Sequence, residues 1–264
     1  MELSGVIMNF SILSFRFART ASLFQCKVPK YFCTCSTLRK EVPKNLKGKS
    51  KSSQEWLIRQ MKDPYVEKAR MSNYRCRSAF KLLEMNDKYN FLAAGQCVVD
   101  CGAAPGSWTQ ISVEKTNSLG SRRNEAIGRV IGIDCLSIYP IEGAILLNNM
   151  DFTSKEAQEK LLGHLQGQKV DVVLSDMAPN ATGLKFMDHE KIIYLAYNVL
   201  RFSVQVSVVE GTMLVKIWDG QEADVLRKDI KRYYNNVKIV KPNASRSDSS
   251  EKYILARDFK GLGT

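Results

Sequence analysis

Histidine is scarce in this 264-residue chain, with only His164 and His189 present. Neither sits in a Cys/His pattern with zinc-finger spacing. Cysteine occurs seven times, at positions 26, 33, 35, 76, 97, 101 and 135. The odd count, with Cys33 and Cys35 one residue apart, fits neither a disulfide framework nor a Cys-x₂₋₄-Cys metal pair. It reads as reduced, mostly structural thiols. Long apolar runs are also missing. A membrane span needs about 20 apolar residues, and the stretch from Val6 to Phe17 is broken by Asn9, Ser11, Ser14 and Arg16. One region lacks acids altogether, since none lies between Glu2 and Glu41.

Hydrophobic residues make up 44% and charged residues 25%. These values exclude collagen and a wholly disordered chain and suit a globular protein. The length allows one domain or two small ones. The net charge is +12 but uneven. Residues 1–53 hold ten basic residues against two acids, or +8, while residues 54–264 hold 29 against 25, or +4. The whole-chain charge is therefore no direct footprint of nucleic-acid binding. An acid-poor start containing Arg, Ser and Phe has the composition of a mitochondrial transit peptide. Residues 40–53 have too little apolar surface to bury and read as a solvated linker. The predicted organisation is a targeting segment and basic linker over 1–53 and a folded domain over 54–264.

Within that domain, short apolar runs alternate with helical patterns. Strands are predicted at Cys97–Cys101, Arg129–Asp134, Val170–Ser175, Thr212–Trp218, Val237–Lys241 and Tyr253–Arg257. Helices are predicted near 76–88, 106–116, 154–166, 188–208 and 221–234, with helical turns on either side of Pro64. The alternation points to an α/β doubly wound sheet. The polar stretch Asn117–Ala126 reads as a surface loop.

The first strand runs into Asp100-Cys101-Gly102-Ala103-Ala104-Pro105-Gly106-Ser107-Trp108. Small residues there let a ligand approach the backbone, and the following helix offers free N–H groups. The Gly-x-x-x-Gly spacing lacks the Gly-x-Gly-x-x-Gly of dinucleotide folds, and no Gly-Lys-Ser/Thr closes the turn. Asp134, at the next strand end, suits a ribose diol. With Asp176 at a third strand end, a nucleoside-bearing cofactor is favoured over a simple tight turn. Lys216 interrupts the apolar strand Leu214-Val215-Lys216-Ile217-Trp218 and should face away from Val215 and Ile217. The strand alone leaves two readings open: a structural ion pair or a functional base with a lowered pKa.

Ser78-Ala79-Phe80-Lys81-Leu82, the Asp100–Trp108 turn, Ser175-Asp176-Met177-Ala178-Pro179-Asn180, Lys216, and Ser245-Arg246 through Ser250-Glu251 occur in one order. In that order the chain resembles the FtsJ-type RNA 2′-O-methyltransferases over about residues 56–260, and most of all their mitochondrial branch. The resemblance implies a Rossmann-like, mostly parallel seven-stranded sheet. It implies a catalytic tetrad of Lys81, Asp176, Lys216 and Glu251, with a second ammonium lowering the pKa of Lys216, which would then take the 2′-hydroxyl proton or stabilise the developing alkoxide. It implies S-adenosylmethionine as cofactor, held by Gly102, Pro105, Gly106, Ser107 and Trp108 of the turn. Asp134 would take the ribose, Asp151 would lie near the adenine, and Asp176 near the methionine end. No metal is implied. Taken singly, Lys81, Asp176 and Glu251 would read as surface or turn residues.

The implied partner is large-subunit rRNA in an assembling ribosomal subunit of the mitochondrial matrix. The alternatives are a tRNA 2′-O-methyltransferase and an RNA-binding assembly factor without catalysis. For RNA contact, the basic residues Arg59, Lys62, Lys68, Arg70, Arg75, Arg77, Lys81 and Lys88 are expected to form a groove. Lys241, Arg246 and Lys252 would join it from the other end.

Overall fold

The computed structural model describes Gly48 and residues 50–179 and 183–262. The predicted leader up to Lys47, its three cysteines, and Asn180 of the third motif lie outside the described residues. Asn45–Thr264 forms one compact unit.

Local chemistry sets the helix boundaries. Helix α1 (Lys51–Lys62) begins earlier than the sequence suggests, because the Ser50 hydroxyl accepts the Ser53 N–H at 3.3 Å and caps it. Pro64 opens α2 (Pro64–Met71), where its missing N–H costs nothing, and Asp63 caps the Tyr65 N–H at 3.0 Å. Helix α3 (Ala79–Tyr89) stops at Asn90, which is left-handed with φ 50°. The other helices are α4 (Ser107–Thr116), α5 (Lys155–Leu165), α6 (Lys185–Val206) and α7 (Gln221–Tyr233). Helix α6 starts three residues before its predicted boundary and contains His189.

Strands β1 (Cys97–Cys101), β2 (Arg129–Ile133) and β4 (Val170–Ser175) match their predicted spans closely. Strands β5 (Ser207–Trp218), β6 (Tyr234–Val240) and β7 (Glu251–Phe259) are longer than expected. Strand β3 (Ala144–Leu147) was not predicted; four residues at a sheet edge are too few to display a period. The seven strands form one sheet in the order β3-β2-β1-β4-β5-β7-β6. All neighbours pair in parallel except β7, which runs antiparallel to both β5 and β6. This is the Rossmann-like α/β fold. Strand order reverses between β1 and β4, so the crevice for a ligand lies beyond the carboxyl ends of these two strands.

The side-chain period of two sends successive residues to opposite faces. On one face Val99, Cys101, Met213, Val215 and Ile217 pack with residues of α5, α6 and α7. On the other Val98, Leu174, Leu214 and Tyr253 pack with Ala79, Leu82 and Met85 of α3 and Trp108 and Ile111 of α4. Lys216 therefore points toward the face covered by α3 and α4.

A carboxyl group is buried near the end of β1. Asp100 has no solvent exposure. Thr109 donates to its Oδ2 at 2.7 Å, and its Oδ1 has no hydrogen-bond partner. Burial pushes its pKa from 3.8 to about 7; the Thr109 bond opposes the rise, and Asp176 and Asp134 add to it. Because the folded value lies above the unfolded one, stability falls as pH rises from about 4 to 7 and then levels off. Asp100→Asn keeps an acceptor for Thr109 and removes this slope. Denaturant titrations should show the variant gaining on wild type across that window, by up to about 4 kcal/mol above pH 7. Parallel pH profiles for the two proteins would refute the assignment.

Candidate active site

Four charged side chains converge at the carboxyl end of the sheet. Lys81 stands in the first turn of α3, Asp176 just beyond β4, Lys216 near the end of β5, and Glu251 at the start of β7. The antiparallel register pairs Lys216 with Tyr253 and Trp218 with Glu251, which fixes the last two relative to Lys216. Lys81 Nζ lies 2.7 Å from Glu251 Oε1 and donates to Oε2 at 2.8 Å. Lys216 Nζ lies 3.3 Å from Glu251 Oε2 and 3.2 Å from Asp176 Oδ1. Positive and negative groups thus alternate from Lys81 through Glu251 and Lys216 to Asp176.

The array is nearly dry, with the side chains of Lys81, Glu251 and Lys216 only 10–12% exposed. Burial alone would push the Lys216 ammonium down, but Asp176 and Glu251 outweigh it and raise its pKa. This corrects the expectation of a lowered value. Lys81 does not face Lys216 unopposed, because Glu251 sits between the two ammoniums. Burial would likewise raise Glu251, yet Lys81, Lys216 and hydrogen bonds from Lys81 and Ser245 hold it down at about 2.

Two partners of the array had no role in the sequence reading. The Tyr253 hydroxyl donates to Asp176 Oδ1 at 2.6 Å, and Ser245 Oγ donates to Glu251 Oε1 at 2.8 Å. Tyr253 was detectable in principle, since it lies two residues beyond Glu251 on one strand and shares its face. Burial first, then Asp176 and Glu251, pushes its phenol well above its ordinary value. Its ring packs against Trp108 at 5.7 Å between centroids.

The helix and loop carrying these groups are themselves tied down. Trp108 Nε1 donates to Ser78 O at 2.9 Å, at the head of α3. Ser78, Ser107 and Cys76 form a hydroxyl–thiol cluster at 2.8–3.0 Å. Arg77 pairs with Asp63 at 2.5 Å and donates to Ala244 O, while Glu84 accepts the Ala244 N–H at 3.0 Å and the Tyr65 hydroxyl at 3.1 Å. These contacts fasten the β6–β7 connection, which presents Ser245, onto α2 and α3.

Beside Asp176 lies a cavity of about 320 Å³ at the strand-order reversal. It brings together Gly102, Asp134, Asp151 and Asp176, with Ile133 and Phe152 supplying apolar wall. Gly102 has φ +80° and no room for a side chain, since a Cβ would run into Met177. Asp134 accepts the Ala104 N–H at 2.9 Å and the Leu136 N–H at 2.8 Å. Three carboxylates, bare backbone and an apolar wall suit a ligand with a cation, hydroxyls and an aromatic base. Pro105, Gly106, Ser107 and Trp108 do not line this cavity. Pro105 O is taken by Arg75, Gly106 packs under Arg75 and Ile141, Ser107 joins the thiol cluster, and Trp108 is core. Among the described residues no group of three or more His, Cys, Asp or Glu could hold a metal ion.

On the other side, a smaller cavity of about 260 Å³ reaches Lys81 and Glu251. It shares Arg77 and Arg246 with an open groove of about 980 Å³, lined also by Arg59, Lys62 and Lys241. Not every basic residue expected there is free for RNA. Arg77 is paired with Asp63, Lys68 lies over the Phe80 ring at 4.6 Å, and Lys241 donates to Ser247 O and Ser249 O. Arg75 is turned toward three backbone carbonyls.

The chain is similar to known proteins in sequence and in fold. The chain is 55% identical to the mitochondrial rRNA methyltransferase 2 of Drosophila melanogaster over 222 residues, 84% of this chain and 89% of that protein. It is 44% identical to the ribosomal RNA large subunit methyltransferase E of Cereibacter sphaeroides over 218 residues, 83% of this chain and 88% of that one. The crystal structure of a ribosomal RNA methyltransferase from Plasmodium falciparum superposes with a TM-score of 0.63 at 29% identity. It covers 72% of this chain and 100% of that one. The FtsJ-like methyltransferase family model matches residues 74–259, from the approach to Lys81 to the end of β7, and the chain accordingly belongs to the FtsJ-like methyltransferase family.

Proposed function

We propose that this enzyme methylates a ribose 2′-hydroxyl, on a uridine, in mitochondrial large-subunit rRNA, with S-adenosylmethionine as methyl donor. The alternating array Lys81–Glu251–Lys216–Asp176 beside an acidic cavity carries this reading. In this reading residues 54–264 are the catalytic domain, and 1–53 direct the chain to the mitochondrial matrix, where it meets the assembling subunit. The name of the fly relative supports both the compartment and the rRNA substrate.

The donor would be held by Gly102, Asp134, Asp151 and Asp176, whose carboxylates match its ammonium, sulfonium and ribose hydroxyls. The Pro105–Trp108 turn would fix the backbone behind them. When bound, the donor supplies a methyl group already activated on sulfonium. The chain's own task is to aim a poor nucleophile and manage its charge. Lys216, kept cationic by Asp176 and Glu251, would donate a hydrogen bond to the 2′-oxygen and stabilise the negative charge that grows there, while the hydroxyl proton passes to water. Lys81 and Glu251 orient Lys216 and the ribose. Asp176, anchored by Tyr253, holds the other flank. Because the site is dry and fixed beforehand, positioning supplies most of the acceleration. RNA phosphates would lie along Arg59 and Lys62, beside Arg246, which also reaches Asp63 at 3.7 Å.

Mapping 2′-O-methyl sites in mitochondrial rRNA with and without the protein tests the substrate. Loss of one large-subunit mark is expected, whereas an unchanged map, or a lost tRNA mark, would overturn the assignment. Lys216→Ala should lower kcat about 100-fold or more, measured by labelled-methyl transfer. Because Lys216 is held charged, with its pKa above the ordinary lysine value, ¹⁵N NMR of its Nζ should detect no neutral form at neutral pH. A titration near neutrality would restore the general-base role instead. Glu251→Gln leaves two buried ammoniums without their shared carboxylate and should cost about 3–5 kcal/mol of stability. With Glu251 at about 2 when folded, its contribution is full above its ordinary value and fades as pH falls toward 2. The gap between wild type and the variant in acid denaturation should close over that range.

A further inference from the structure

Arg75 lies in the connection between α2 and α3, six positions before Lys81. The sequence placed it among phosphate contacts, but its donors turn inward. Nη1 donates to Pro105 O and Tyr139 O, and Nη2 to Pro140 O, each at 2.8 Å. Its own N–H donates to the Gln110 side chain of α4 at 3.0 Å. Pro105 belongs to the turn after β1, and Tyr139 and Pro140 to the connection from β2 to β3. The same two segments wall the cavity beside Asp176, through Gly102 and Ala104 on one side and Asp134, Cys135 and Leu136 on the other. Asp134 ties them together by accepting the Ala104 N–H. Arg75 joins them at a second place. Gly106 is shaped to this contact, since a Cβ there would lie 2.7 Å from Arg75 Nη1.

We propose that Arg75 is a positioning residue for the methyl donor: its guanidinium clamps together the two segments that form the donor cavity, and so sets donor affinity. This rests on the donor reading of that cavity given above. Nη1 bridges the two segments and Nη2 adds a third carbonyl, whereas a lysine ammonium ends one bond short of these nitrogens and has no second nitrogen to share the three. Lysine at this position would keep the charge an RNA phosphate sees while falling short of the carbonyls and loosening the clamp. A clamp and a phosphate contact therefore predict opposite outcomes for the same variant.

The test uses the full chain and S-adenosylhomocysteine, binding measured calorimetrically without RNA. Arg75→Lys should raise its Kd about tenfold and raise KM for the donor similarly, while KM for rRNA and the salt dependence of RNA binding stay unchanged. Gly106→Ala intrudes on the same contact and should also weaken binding, with little further loss when combined with Arg75→Lys. This second variant keeps the test open if Arg75→Lys fails to fold. Unchanged S-adenosylhomocysteine affinity in Arg75→Lys would overturn the proposal. So would a raised KM for RNA with a shallower salt slope, the mark of a phosphate contact. Equal losses of both affinities alongside a lowered Tm would also overturn it, as a general structural role. If the wild-type chain itself fails to bind S-adenosylhomocysteine, the donor reading falls.

Discussion

The site depends on one carboxylate shared by two buried ammoniums. Glu251 reaches Lys81 at 2.7 Å and Lys216 at 3.3 Å, and all three side chains are almost wholly withdrawn from water. Two lysines this close would otherwise repel, and one would shed its proton. Glu251 removes that choice. It keeps both cations, and with Asp176 at the far end the row carries no net charge. A neutral row of alternating charges can be buried at far lower cost than its members separately. The helix, the two strands and the loop that supply these residues must arrive in register for the balance to hold.

This explains why so much of the surrounding polar chemistry is structural. Arg77, Asp63, Glu84 and Tyr65 would pass for ordinary surface residues in the sequence. In the fold they fasten the β6–β7 connection to α2 and α3 and thereby deliver Ser245 to Glu251. Trp108 serves a comparable purpose, gripping the head of α3 through Ser78 O and supporting Tyr253 from below.

The strands that carry the site were legible because each is an apolar run bounded by turn chemistry, as in Cys97–Cys101 and Val170–Ser175. Lys216 was conspicuous as a charge inside such a run. Its protonation was not legible, since it depends on Glu251, thirty-five positions away in sequence and neighbouring only through the β5–β7 register. Strand β3 escaped for want of length, and Tyr253 for want of any reason to look beyond the charged residues. The basic groove was overcounted for a related reason. Sequence shows how many arginines and lysines a segment holds, but not that Arg75 spends its donors on carbonyls or Arg77 on Asp63.

The position of β7 has a consequence for assembly. It comes last in chain order among the described strands, yet it lies between β5 and β6. The sheet cannot be completed in the order in which a ribosome makes it. Strand β6 must wait without its neighbour until Glu251–Phe259 emerges and slots in. That same strand brings Glu251 and Tyr253, so a partly delivered chain has neither a closed sheet nor a balanced charge row. The row of alternating charges is complete only when that strand is home.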